Sequence, residues 1–220
     1  MSFADLLNEN VLDPASFDAA FRGKAAPLAG VDEAGRGPLA GPVVAAAVIL
    51  DPDYSYEGLG DSKKLSAAAR DKAFDLIQAK AISWGWARLE AADVDEFNPL
   101  KAAMLAMARA VEKLSCAPAL VLVDGNCKPP LNIPCQTVVK GDARSLSIGA
   151  ASIMAKVIRD RIMVDLHQQY PAYGFDKHKG YGTKDHLAAL RLHGPSACHR
   201  LSFRGVKPPD NAPAGFTFGE

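Results

Sequence analysis

Two adjacent carboxylates, Asp32 and Glu33, stand just before a glycine-rich turn in the stretch Val31-Asp32-Glu33-Ala34-Gly35-Arg36-Gly37-Pro38. Paired carboxylates are hard oxygen ligands that suit Mg²⁺ or Mn²⁺. Glycines carry no Cβ and let a ligand approach the backbone closely. A candidate metal site beside a bare-backbone cradle points to chemistry on a phosphate or a sugar. Two other readings compete with it. The acids can simply be solvated residues of a turn. Gly35-Arg36-Gly37 also supplies the Gly-x-Gly of a dinucleotide fingerprint, but that fingerprint opens a helix, whereas Pro38, Gly41, Pro42 and a strand-like run follow here.

Placing these residues requires a strand on each side. Pro27-Leu28-Ala29-Gly30-Val31 is short and mostly apolar, and Val43-Val44-Ala45-Ala46-Ala47-Val48-Ile49-Leu50 is longer and rich in β-branched residues. The two read as strands of one sheet, joined by a loop that exposes Asp32, Glu33 and the backbone amides of Gly35 to Gly37. Successive strand residues point to opposite faces, so a regular strand cannot bring both acids to one metal. The strand is therefore expected to end or bulge at Asp32-Glu33.

The remaining elements follow from periodicity. Residues 1–26 read as a short helical or loose extension. Leu59-Gly60-Asp61-Ser62-Lys63-Lys64-Leu65 forms a loop leading to Ser66, the N-cap of a helix near 67–80. Residues 82–89 alternate as a third strand. Residues 98–114 have helical spacing, with Leu100, Met104, Met107, Val111 and Leu114 on one face and both methionines expected in the core. Ala119-Leu120-Val121-Leu122-Val123 reads as a buried strand ending at Asp124-Gly125-Asn126, with a further short strand near 134–139. A long helix is expected over 145–170 and a shorter one over 184–192, stopped by Gly194-Pro195. The proline-rich tail, residues 208–220, reads as disordered. The expected organisation is one α/β domain over residues 27–207, preceded by the extension.

Two more acids gain interest from this placement. Asp124 closes a buried strand, and functional groups of open α/β sheets gather at such strand ends. On its own it also reads as part of an Asp-Gly turn. Asp142, in Lys140-Gly141-Asp142, precedes the long helix, where an acid is favoured by the helix dipole whatever its role. Four acids on strand ends and loops can surround two metal ions about 4 Å apart, although sequence separation does not show that they converge.

Composition sets the frame. The 220 residues are 49% hydrophobic and can bury a full core. No apolar run reaches membrane-spanning length, and no basic-then-apolar leader opens the chain. Cys116, Cys127, Cys135 and Cys198 form no C-x-x-C pair, which fits reduced thiols in a cytoplasmic protein. The net charge is zero, yet the part from Lys128 onward carries 13 Lys/Arg and only 7 Asp/Glu. The first 127 residues carry the other 12 basic and 18 acidic residues. A cation-binding part beside a phosphate-binding part suits a metal-dependent nuclease, and it also occurs in many other proteins.

Taken together, Asp32-Glu33-Ala34-Gly35-Arg36-Gly37-Pro38 with Gly41-Pro42, Asp61-Ser62-Lys63-Lys64-Leu65, Val123-Asp124-Gly125-Asn126 and Lys140-Gly141-Asp142 closely resemble ribonuclease HII. So do the run from Ala150 to Asp160 and His178-Lys179-Gly180-Tyr181-Gly182-Thr183-Lys184, all in the family's order over roughly residues 28 to 205. The bacterial-type form fits better than ribonuclease HIII, whose glycine motif carries threonine where Arg36 stands and which has a large N-terminal domain.

The resemblance implies a ribonuclease H-like fold: a five-stranded mixed sheet flanked by helices, with a helical C-terminal part. It implies cleavage of RNA in RNA–DNA hybrids and at single ribonucleotides embedded in duplex DNA, leaving 5′-phosphate and 3′-hydroxyl ends. Asp32, Glu33, Asp124 and Asp142 become metal-binding carboxylates for two Mg²⁺ or Mn²⁺ ions. Gly35, Arg36 and Gly37 read the 2′-hydroxyl, Tyr181 stacks on a sugar, and Ser62 and Lys63 contact phosphates. His178 and His186 are read as surface or capping residues. A monomer with no membrane association and no obligate protein partner is expected. Two rival classes are a resolvase-like nuclease of similar fold and a non-catalytic nucleic-acid-binding module.

Overall fold

The computed structural model describes residues 13–22, 26–56, 59 and 65–207. Five strands, β1 (Leu28–Ala34), β2 (Val43–Ile49), β3 (Ser83–Leu89), β4 (Leu120–Asp124) and β5 (Cys135–Val138), form one sheet in the order β3-β2-β1-β4-β5. β1 pairs antiparallel with β2, which pairs antiparallel with β3. β1 also pairs in parallel with β4, which pairs in parallel with β5. The sheet is therefore mixed, as expected.

Every residue of β2 is buried because both faces of the sheet are covered. Val43, Ala45, Ala47 and Ile49 join Val31, Val121 and Val123 beneath helix α4 (Pro99–Glu112). Val44, Ala46 and Val48 face the other way, onto α2 (Ala67–Lys80) and α6 (Leu146–Gln169). This two-sided burial explains why the run is continuously apolar rather than alternating. Gly30 sits where α6 crosses β1, and a Cβ there would collide with the backbone of Ser147 and Ile148. Its lack of a side chain is what lets the helix lie this close.

Ser66 caps α2 as the sequence indicates, its hydroxyl accepting from the Ala69 amide at 3.2 Å. Ser145 does the same for α6 with Ile148. The helix 98–114 is present, and Met104, Met107, Val111 and Leu114 of the expected stripe lie in or against the core, with alanines widening the buried face. Ala102, Ala103, Ala106, Met107, Ala110 and Val111 are buried, whereas Leu100 is exposed. Small side chains allow close approach to the sheet, so alanines share the contact with the expected larger residues. Residues 91–97 also form a short helix, α3 (Ala91–Phe97), which was not foreseen.

The N-terminal segment includes α1 (Pro14–Arg22), packed onto the sheet through Phe17 and Phe21. Its Asp18 is buried and accepts from the Ser145 hydroxyl and from both the amide and hydroxyl of Ser147. After the four-residue α5 (Gly141–Arg144) and α6 come α7 (Phe175–His178) and α8 (Lys184–His193). These last elements pack Tyr173, Phe175 and Leu190 against Ala40 and Met163, closing over the segment that follows the glycine turn. Among the described residues no helix is long and apolar enough to cross a membrane. The expected loop at Ser62 and Lys63 and the tail from Pro208 lie outside the described residues.

Candidate active site

The strand does not end or bulge at the acids. β1 continues through Ala34 with unbroken register, Asp32 opposite Ala46 and Glu33 opposite Ala45. On its other side, however, pairing with β4 stops at Val31 opposite Val123. The last residues of β1 therefore overhang the parallel half of the sheet, and side chains from both of its faces reach one opening. Asp32, Glu33 and Asp124 line a cleft of about 260 Å³ there, with Gly35, Arg70, Ser152, Lys156, Arg159 and Tyr181.

The carboxylates influence one another. Asp32 is almost fully buried, and burial pushes its pKa well above the usual carboxylate range. The negative charges of Glu33 and Asp124 push it further up, while hydrogen bonds from the Ser152 side chain and the Glu33 amide oppose them. Glu33 is also raised, first by burial, with Arg36 acting against that rise. Arg36 reaches Glu33 at 3.2 Å. Asp124 accepts from the Gly141 amide at 2.7 Å and more distantly from the Asp142 amide at 3.4 Å. The Asp142 side chain does not line the cleft. Asp142 is buried and borders a small crevice with Pro14, Leu59 and Ser145. Three of the four predicted acids thus share one opening, and the fourth is held close to it through the backbone.

This donor set suits a hard divalent cation, because clustered carboxylates that resist joint ionisation gain from a counter-charge. Among the described residues, no group of three or more His, Cys, Asp or Glu side chains converges closely enough to hold a metal as placed. The acids form a neighbourhood rather than a ready-made cage.

The glycine turn is held from behind. Gly35 has φ +98°, a backbone conformation that glycine adopts at little cost. A Cβ at Gly35 would run into the Arg159 side chain and the Pro42 carbonyl. Arg159 is buried and donates to the carbonyls of Pro42, Ala40 and Lys179. Arg200, also buried, donates to those of Gly35, Arg36 and Gly41. Burial lowers the proton affinity of both guanidiniums, with Arg200 brought down to about 9. The sequence reading gave neither arginine a role. A lone buried Arg inside an apolar helical run was the available signal for Arg159, and nothing comparable marked Arg200.

Tyr181 is half exposed at the mouth of the cleft, beside Gly37. Its loop is fixed by histidines, and here the surface-or-cap expectation for His186 is wrong. His186 is fully buried, and it packs with His199 and Phe175 beneath α8. His199 Nδ1 accepts from the Ser196 amide, so its Nε2 carries the proton that bridges 3.0 Å to His186 Nε2. His186 Nδ1 must then donate to the Tyr181 carbonyl, 2.9 Å away. Both rings are neutral in this arrangement. Burial lowers their pKa values, that of His199 to about 4. His178 accepts from the Gly180 amide and donates to the Tyr173 carbonyl, and so stiffens the same loop.

Comparison with known proteins gives the family and the fold. The family model for ribonuclease HII matches residues 29–206. A ribonuclease HII of Nitrosococcus oceani is 56% identical over 180 residues, covering 82% of this chain and 90% of that protein. The fold is similar to the ribonuclease H2 of Pyrococcus horikoshii OT3, with TM-score 0.68 at 25% identity over 81% of this chain and 94% of that one. It is also similar to Bst-RNase HIII in complex with Mn²⁺, with TM-score 0.66 at 20% identity over 81% of this chain and 67% of that one. The chain belongs to the ribonuclease HII family.

Proposed function

We propose that this ribonuclease H-type endonuclease cleaves RNA in RNA–DNA hybrids and at single ribonucleotides embedded in duplex DNA, leaving 5′-phosphate and 3′-hydroxyl ends. The observation that carries the reading is the cleft itself, where Asp32, Glu33 and Asp124 meet Gly35 and the exposed ring of Tyr181. Asp32, Glu33, Asp124 and Asp142 are the residues that would hold two Mg²⁺ or Mn²⁺ ions. When bound, such ions supply activation of the attacking water and stabilisation of the leaving oxygen. The Mn²⁺ complex of Bst-RNase HIII, a protein of similar fold, is in keeping with that choice of cation.

The protein's own groups do the rest. Gly35 to Gly37 offer backbone polar groups without side-chain bulk, as contact with a 2′-hydroxyl requires, and only that hydroxyl tells RNA from DNA at a given nucleotide. Tyr181 offers a ring face for the neighbouring sugar, on a loop whose histidine contacts limit its motion. Arg36 restrains Glu33 and offsets part of its charge. Ser62 and Lys63 are assigned to flanking phosphates.

The decisive experiment gives the purified protein three duplexes in Mg²⁺: one with a single embedded ribonucleotide, an all-DNA control and a 2′-O-methyl version. Methylation removes the hydroxyl's donor and adds bulk. Cleavage is expected only on the first, on the 5′ side of the ribonucleotide, and Tyr181→Ala is expected to slow it by misplacing the sugar. Equal cutting of the all-DNA control would overturn the reading and favour a resolvase-like nuclease.

A further inference from the structure

We propose that Arg200 is a positioning residue that aims the backbone amides of Arg36 and Gly37 at the substrate ribose, so that recognition of the 2′-hydroxyl depends on a buried guanidinium behind the loop. The proposal rests on the ribonucleotide-cleaving reading of the cleft.

Arg200 is fully buried, and among the described residues it makes no ion pair. Its hydrogen bonds go to main-chain carbonyls. Nη2 donates to Gly35 O at 2.6 Å and to Gly41 O at 2.9 Å. Nη1 donates to Arg36 O at 2.9 Å, and Nε to Gly41 O at 3.1 Å. A buried cation with no carboxylate in direct contact is costly even with the charge of Asp95 nearby, and a neutral donor would hold a loop at lower cost. What a neutral side chain lacks is the rigid planar fork of five N–H groups. That fork fixes two successive carbonyls at once.

The consequence follows from peptide geometry. In a trans peptide unit the C=O and N–H point in opposite directions. Turning Gly35 O toward Arg200 directs the Arg36 N–H away from it, and turning Arg36 O toward Arg200 does the same for the Gly37 N–H. Both residues are exposed, and among the described residues neither amide has a protein acceptor. The Tyr181 ring stands beside Gly37 at the same opening. Two parallel donors next to a sugar-sized ring face match a ribose hydroxyl, and they have no equivalent partner on deoxyribose.

Arg200 is itself held in place. Its guanidinium lies over the Phe203 ring at 5.1 Å. Asp95 on α3 accepts from the Leu201 and Ser202 amides that follow it. Arg159 braces the next segment through Ala40 and Pro42 and links it to Lys179 in the Tyr181 loop.

The test uses full-length wild type, Arg200→Lys and Arg200→Met. Affinity for the ribonucleotide duplex and for the all-DNA duplex is measured by anisotropy in chelator, and kcat and KM on the ribonucleotide duplex are measured in Mg²⁺. Amide NMR signals of Arg36 and Gly37 are followed during both binding titrations. In wild type these two amides should shift with the ribonucleotide duplex and not with DNA. Arg200→Lys keeps a cation but lacks the fork, so its ribonucleotide-over-DNA affinity ratio should fall at least tenfold and the selective shifts should vanish. Arg200→Met should lose them as well. A variant that loses cleavage but keeps the wild-type affinity ratio would show Arg200 to be merely structural and overturn the proposal. Should both variants fail to fold, wild-type amides that respond equally to the two duplexes would overturn it just as well. Failure of the functional reading is separate and visible in wild type alone, as cleavage of the all-DNA duplex.

Discussion

Gly37→Ala separates substrate contact from structure, because the geometry makes opposite demands at Gly37 and Gly35. At Gly37 an added Cβ meets nothing closer than Tyr181 Cε1 at 3.9 Å, an ordinary contact, and φ is not in the left-handed region. Gly→Ala at such a position stabilises by about 0.4–1 kcal/mol through the unfolded chain. For a domain of this size that corresponds to a Tm higher by about 1–4 °C. The same methyl group would stand beside the Tyr181 ring, on the exposed side of the loop that the ribose is proposed to approach. Loss of one transition-state hydrogen bond of about 1.4 kcal/mol already slows a reaction tenfold. Gly37→Ala should therefore cut kcat/KM on the single-ribonucleotide duplex at least tenfold while Tm holds or rises. Gly35→Ala is the structural counterpart, since left-handed strain and collision with Arg159 and Pro42 should cost about 2–4 kcal/mol. Calorimetry and steady-state cleavage on the same preparations decide the matter. Wild-type kcat/KM in Gly37→Ala would refute the close approach of substrate at that position, and a Tm drop of several degrees would show the position to be structural.

Asp32→Asn should abolish turnover yet stabilise the metal-free protein at neutral pH. A raised folded-state pKa gives stability that is present below the ordinary carboxylate range and lost as pH rises through the raised value, so the variant's Tm advantage in chelator should grow with pH across that window. An advantage that is flat with pH would refute the buried-charge argument. Asp18→Ala strands three donors of Ser145 and Ser147, and it should lower stability by about 3 kcal/mol, read as a drop in the urea midpoint without loss of helical signal. An unchanged midpoint would mean that the Asp18 carboxylate adds nothing net to the fold. The logarithm of duplex affinity should fall linearly with log salt, because the basic part from Lys128 onward is expected to contact phosphates. A salt-independent dissociation constant would exclude that surface.

Local signals carried most of the fold into the sequence. The boundaries of α2, α6 and α8 are marked by Ser66, Ser145, Thr183 and Gly194, which act through side-chain or backbone caps within one turn. The continuous burial of β2 was legible because both of its faces are apolar. Less legible was whatever depends on where one element stops relative to another. Asp32 and Glu33 reach one cleft because β4 stops pairing with β1 early, which the alternation rule for an isolated strand cannot anticipate. The alanine face of α4 looked unremarkable beside its larger residues, although closeness to the sheet favours small ones. His186 read as a surface or capping residue and Arg200 drew no reading at all, since burial of a polar group becomes visible only with the partners that satisfy it. Those partners are His199 and Tyr181 for the one, and Gly35, Arg36 and Gly41 for the other.

The parallel pairing of Leu28 with Leu120 sets an order on biosynthesis. As the chain leaves the ribosome, Asp32 and Glu33 emerge early, but the strand that brings Asp124 beside them follows only after β2, α2, β3, α3 and α4. The glycine turn waits longer, since the side chain that grips its carbonyls is Arg200, beyond α8. A nascent chain halted between Asp142 and Arg200 carries all four acids with the turn still untethered. In this topology the glycine turn is the last part of the cleft to be fixed, after the acids and the strands that carry them.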